Sequence, residues 1–270
     1  MKTLKVETVS REEDDSVGVE DPEQKREVRS LVRTTKNVVV RPAESTEVDY
    51  SVVSPRFFNC FNYSVLAQVY KDVNLSMGIT SSKAGEGKTL VATNIAVSLA
   101  IANERDTVLV DFNLQRPRIH ELFFTDIGPG LTEALTDTSV FVTKTRLKHL
   151  YLLTAGSNRM TSPSPDGLKP YGSKKYSAVG ETDGMLQTAS LNNLSDLRDV
   201  IYSLQQKFEI IIIDMPPALD PGLPVIVVQQ MHGVLLVVDS QNTKKEEPEK
   251  VFQRIGKDRV LGFVLNRMRE

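Results

Sequence analysis

Nine consecutive residues constrain this chain more than any others: Ser81-Ser82-Lys83-Ala84-Gly85-Glu86-Gly87-Lys88-Thr89. Met77-Gly-Ile-Thr-Ser leads into them and reads as a short buried strand. LVATNIAVSLAIAN follows and reads as a buried helix from Thr89 to about Asn103. A strand before and a helix after separate a working phosphate loop from a chance glycine run. The glycines let the backbone turn so that several N–H groups face one anion. The helix adds the positive end of its dipole. Lys88 supplies a full charge for the β- and γ-phosphates, and Thr89 a hydroxyl for the Mg²⁺ that ATP brings with it. The expected nucleotide-binding set is Lys83, Ala84, Gly85, Glu86, Gly87, Lys88, Thr89 and Leu90.

The rest of the chain repeats this strand–helix rhythm. TVLVD (107–111), a strand within 147–154, EIIIID (209–214), GVLLVVD (233–239) and RVLGFVL (259–265) are short and apolar throughout. Helices are expected at about 194–208, where Leu194, Leu197, Val200, Ile201 and Leu204 share a face, and at 246–255. Strands apolar on both faces, alternating with helices, predict an α/β fold: a mostly parallel sheet covered by helices on each side. Ligands of such sheets lie beyond the strand C-termini. Asp111 and Asp214 end two of the strands and are expected there, as catalytic acids and, with Thr89, as magnesium-associated oxygen donors.

Composition narrows the setting. The formal net charge of −2 gives no basic field to draw the chain onto nucleic acid. A single cysteine, Cys60, fits a reducing compartment. No run approaches the roughly 20 apolar residues of a spanning helix, and the N-terminus has no signal-like apolar run. A cytoplasmic location is expected, with any membrane association through a partner. Residues 1–50 are polar and charged and are expected to form a mobile tail, with a solvated helix at about 22–32. Residues 51–270 are expected to form the nucleotide-binding domain, which opens on a helix carrying Phe57, Phe58, Tyr63, Leu66 and Val69. Residues 157–190, dense in Ser, Pro, Gly and Lys, are expected to be a flexible surface insertion.

Taken together the motifs carry a resemblance. Lys83, five residues before Lys88, resembles the first lysine of the deviant phosphate loop K-G-G-x-G-K-T of positioning and partitioning ATPases, with Ala84 in place of a glycine. TSSKAGEGKTLVATNIAVSLA, VLVDFNLQRPRIHELF, GPGLTEALTD, LYLLTAG, FEIIIIDMPPALD, GVLLVVDS and RVLGFVLNR, in that order, resemble the kinase domain of bacterial tyrosine kinases (BY-kinases) of the capsular and exopolysaccharide biosynthesis family. The resemblance runs from about Ile79 to Arg267. The likeness to the positioning ATPases implies that Lys83 reaches a nucleotide bound by a partner subunit; the likeness to BY-kinases implies that Asp111 is a magnesium-associated catalytic acid and that Asn266 lies against adenine. It also implies a possible homo-oligomer and a separate membrane-spanning polysaccharide chain-length or export protein as partner.

Three departures bear on activity. Asn113 stands where the family has a second aspartate, and an amide cannot accept a tyrosine's proton. The chain ends VLNRMRE, without the family's C-terminal tyrosine cluster. The family's E-x-x-R-x-x-R helix has no match just after Ser54-Pro55; Glu23, Arg26 and Arg29 match it some thirty residues early. The expected function is therefore a slowly hydrolysing ATP switch in exopolysaccharide or capsule biosynthesis or export. The alternative is an active tyrosine kinase acting on Tyr171, Tyr176 or another protein.

Overall fold

A computed structural model describes residues 34–42, 48, 53, 74–157, 191–220, 223 and 225–268. The helix expected at 22–32, the match at Glu23, Arg26 and Arg29, the helix bearing Phe57 to Val69, and residues 158–190 with Tyr171 and Tyr176 lie outside the described residues.

The described strands are β1 (Asn37–Arg41), β2 (Leu75–Ser81), β3 (Thr107–Asp111), β4 (Ser139–Lys144), β5 (Leu150–Leu153), β6 (Ile210–Asp214), β7 (Gly233–Asp239) and β8 (Val260–Asn266). The helices are α1 (Lys88–Asn103), α2 (Ile119–Leu122), α3 (Leu131–Thr136), α4 (Leu191–Lys207), α5 (Val225–Gln229) and α6 (Glu246–Ile255). The strands form one sheet in the order β1-β4-β5-β3-β6-β2-β7-β8. Every pairing is parallel except β4 with β5. The expected fold class, a mostly parallel sheet with helices on both faces, is the fold observed.

The uniform apolarity of the central strands has a direct cause. In β6, Ile211 and Ile213 enter a core built with α3, α4, α5 and α6. Ile210 and Ile212 enter the opposite core, beneath α1. Alternate side chains leave opposite faces of a strand, so a strand covered on both sides needs no polar phase. Helix α1 is buried from Val91 to Ala100 because it crosses β2, β3, β5 and β6. Its small residues Ala92, Ala96 and Ala100 let the backbone approach the sheet, while Ile95 and Leu99 fill the layer. Truncating Ile95 to Ala would cost about 2–5 kcal/mol.

Strand β1 corrects the expected tail boundary at residue 50. Asn37–Arg41 pairs in register with Ser139–Thr143, at one edge of the sheet. Val38-Val39-Val40 is a β-branched run that suits an edge strand. Lys36 fastens it by donating from Nζ to the carbonyls of Ala134 (2.6 Å), Leu135 (3.2 Å) and Asp137 (3.0 Å), at and just past the end of α3. A cation there satisfies carbonyls that a helix terminus leaves open.

Candidate functional site

The C-terminal ends of β2, β3, β6, β7 and β8 meet at one edge of the sheet, where the expected residues converge. The loop after β2 turns through Gly85 at φ +86° and Gly87 at φ +93° before α1 begins at Lys88. Both values favour glycine. At Gly87 space adds a second requirement, since a Cβ would collide with the side-chain nitrogen of Asn266. Lys88 is buried at the start of α1.

Asp111 and Asp214 are register partners on adjacent parallel strands, and both are fully buried. Their surroundings divide their tasks. Asp214 Oδ2 accepts the Thr89 hydroxyl at 2.6 Å, while Oδ1 is buried with no hydrogen-bond partner. Burial pushes its pKa up to about 7, Asp111 pushes the same way, and Thr89 and Lys88 oppose. Asp111 Oδ1 accepts the Asn113 N–H (3.2 Å), and Oδ2 accepts those of Arg118 (3.0 Å) and Ile119 (3.1 Å). Burial raises its pKa to about 6 against the pull of these amides and of Lys88. Asp111 thus organises the loop that follows β3, a task that strand-end position alone does not reveal.

Asn113 is a member of that loop and only 6% exposed. Its Nδ2 donates to the Arg116 carbonyl at 3.0 Å, and its own carbonyl accepts the Arg116 N–H at 3.0 Å. The amide closes a turn, and a carboxylate has no proton to donate in its place.

The far side of the glycine loop is braced by contacts that the sequence motifs did not reveal. Asn266 Nδ2 donates to the Glu86 carbonyl at 2.9 Å, and Arg267 Nη2 to the Gly85 carbonyl at 3.0 Å. Arg267 also pairs with the buried Asp239 at 2.6 Å. Glu86, expected only as one loop residue among several, accepts the Lys83 N–H (2.9 Å) and, in a short contact, the Thr243 hydroxyl. Lys83 Nζ makes a short ion pair with Glu247 in the first turn of α6. These partners come from the ends of β7 and β8, the loop to α6 and the first turn of α6, so only the tertiary fold brings them to residues 83–87. Of the remaining expected residues, Ala84 is exposed in the loop and Leu90 is exposed on α1.

A strand, a glycine loop with buried Lys88, and two strand-end aspartates on a parallel sheet define a P-loop nucleotide-binding fold. In sequence the chain is similar to tyrosine-protein kinase YwqD of Bacillus subtilis (strain 168), with 28% identity over 196 residues that cover 71% of each chain. It is similar to the putative tyrosine-protein kinase CapB of Staphylococcus aureus at 24% identity over 86% of this chain and 92% of that one. Tyrosine-protein kinase CpsD of Streptococcus pneumoniae serotype 4 (strain ATCC BAA-334 / TIGR4) is 29% identical over 71% of this chain and 75% of its own length. The crystal structure of the VpsO kinase domain shares the fold, with a TM-score of 0.62 at 24% identity, covering 91% of this chain and 99% of that domain. No protein-family model matches the chain. The chain is thus similar in sequence to proteins named bacterial tyrosine-protein kinases, the family that its motifs resemble. Among the described residues, no helix is long and apolar enough to cross a membrane.

Proposed function

We propose that this chain binds Mg-ATP at the glycine loop and hydrolyses it slowly, as a switch in exopolysaccharide or capsule biosynthesis or export. Residues 85–89 would cradle the phosphates, Lys88 would neutralise them, and Asp111 and Asp214 would serve as the acids beside them. The donor set suits a hard divalent cation. The Thr89 hydroxyl already meets Asp214, whose second oxygen is buried and unpaired. Magnesium held by Thr89 and Asp214, with Asp111 beside it, would supply charge neutralisation at the transferring phosphoryl group. Positioning and electrostatics dominate phosphoryl transfer, so an attacking water needs orientation more than a strong base. Lys83 would serve a second copy's nucleotide, and Asn266 would flank the base. A membrane-spanning export protein as partner, with the chain itself cytoplasmic, is part of the same proposal.

The observation that carries the switch reading over the kinase reading is the placement of Asn113. Its amide is spent on the Arg116 carbonyl, and it has no carboxylate to take a tyrosine's proton. The names of the relatives favour the second reading, a tyrosine kinase. Incubating the full chain with Mg-ATP and measuring released phosphate beside phosphotyrosine separates them. Phosphate without phosphotyrosine is expected. Strong phosphotyrosine on the wild-type chain, at Tyr171, Tyr176 or a supplied peptide, would overturn the switch reading.

A further inference from the structure

Lys83 does not point at the phosphate cradle of its own chain. Its backbone N–H is tied to Glu86 Oε2, and its Nζ leaves the loop toward the first turn of α6, where Glu247 Oε1 receives it. The two ends of this pair differ. The Lys83 side chain is 57% exposed, whereas that of Glu247 is 7% exposed. The second Glu247 oxygen is buried with no hydrogen-bond partner. The lysine can therefore swing into solvent, while the carboxylate stays covered.

We propose that Glu247 is a clasp that holds Lys83 within its own subunit and withholds it from the nucleotide of a second copy, so that release of the clasp limits ATP-dependent self-association. The inference rests on reading Lys83 as the lysine offered across a subunit interface. A lysine paired with a carboxylate presents little net charge to an approaching phosphate. A triphosphate carries several negative charges and competes well for the same ammonium. The carboxylate left behind is tolerable, because it sits in the first turn of α6, where the helix dipole favours negative charge. The clasp is also wired to the loop that would feel the nucleotide. Glu86 accepts both the Lys83 N–H and the Thr243 hydroxyl, and its carbonyl accepts the Asn266 amide. Nucleotide entering beside Asn266 would thus act on the same short stretch that carries Lys83.

The test uses the full chain and four variants: Glu247→Gln, Glu247→Ala, Lys83→Ala and the double variant Lys83→Ala/Glu247→Gln. Light scattering across a protein-concentration series, with Mg²⁺ and a non-hydrolysable ATP analogue, reads self-association, and calorimetry reads nucleotide binding by each variant. Both Glu247 variants should move the association midpoint to about tenfold or more lower protein concentration. That corresponds to ~1.4 kcal/mol of released lysine. Glu247→Ala also removes the unpaired buried oxygen, so it guards against a folding defect peculiar to Gln. Lys83→Ala and the double variant should coincide and associate weakly. A purely structural Glu247 would shift melting temperature but would not make its effect depend on Lys83. Unshifted midpoints with intact nucleotide binding overturn the clasp alone, as would a double variant that behaves like Glu247→Gln. Absence of nucleotide binding in the wild type overturns the nucleotide reading, and the clasp with it.

Discussion

Replacing Asp214 by Asn should stabilise the nucleotide-free protein at alkaline pH while removing its turnover. Burial raises the Asp214 carboxyl from 3.8 to about 7. The unfolded chain releases this proton near pH 3.8, and the folded chain holds it until about 7. Between those values the folded state binds the extra proton, so stability falls as pH rises and levels off above about 7. The full shift corresponds to ~4 kcal/mol. Some of it is already lost at pH 5, which leaves ~2–3 kcal/mol to disappear between pH 5 and pH 8. Asn carries no charge to desolvate, and its amide oxygen can still accept the Thr89 hydroxyl that Oδ2 accepts in the wild type.

A domain of this size moves its melting temperature by about 2–4 °C per kcal/mol. In magnesium-free buffer with chelator, Asp214→Asn should therefore melt above wild type at pH 8, by about 4–12 °C more than it does at pH 5. Part of the slope that remains belongs to Asp111, raised to about 6 by its own burial. Adding Mg-ATP should reverse the order, because only the wild type gains from a cation at this position. Thermal unfolding at the two pH values, beside phosphate release, is the assay. A variant that melts at or below wild type at pH 8 without magnesium would refute the claim that Asp214 is a buried charge awaiting a cation.

Three other perturbations separate phosphate binding from scaffolding. Lys88→Ala should weaken ATP binding by ~100-fold or more, since it removes the full charge at the head of α1; unchanged affinity by calorimetry would mean the loop is not the site. Asp111→Asn should suppress turnover and also cost ~1–3 kcal/mol, because an amide cannot accept all three of the Asn113, Arg118 and Ile119 N–H bonds. A wild-type melting temperature in that variant would show that the loop does not depend on the carboxylate. Removing residues 1–45 should lower the melting temperature by several degrees, because it deletes β1 and the Lys36 contacts with the end of α3. An unchanged melt would make β1 dispensable.

What could be read from the chain alone followed from local pattern. The glycine loop, the central strands and their terminal aspartates show themselves through apolar runs of fixed length and through the spacing of Gly, Lys and Thr. Strand β1 was hidden because three valines inside a charged stretch weigh little against their neighbours. Strand β4 alternates Val140 and Val142 with less buried residues, a weaker signal than the all-apolar centre. The braces on the glycine loop were not legible for another reason. Asn266 and Glu86 lie 180 positions apart, and Lys83 and Glu247 lie 164 apart. No local spacing can announce such pairs, which exist only because β2, β7 and β8 are neighbours.

Asn113 joins both kinds of information and sets the most discriminating variant. Its place two residues after Asp111 is visible in the sequence, but its task appears only in the folded loop, where Nδ2 donates to the Arg116 carbonyl. In Asn113→Asp an ionised carboxylate would face that carbonyl oxygen with no proton between them. The lost bond and the repulsion should cost about 1–3 kcal/mol, or roughly 2–12 °C in melting temperature. The same repulsion should drive the new carboxylate off the turn toward solvent, where it can act as a base. A tyrosine hydroxyl titrates near pH ~10, so it gains from such a base at neutral pH. Hydrolysis depends less on it, because water needs mainly orientation. The expected outcome is a less stable protein with retained ATPase activity and a gain of phosphotyrosine on a supplied tyrosine peptide. If the variant keeps its ATPase, loses stability as calculated and still yields no phosphotyrosine, then the missing carboxylate is not what separates this chain from a kinase.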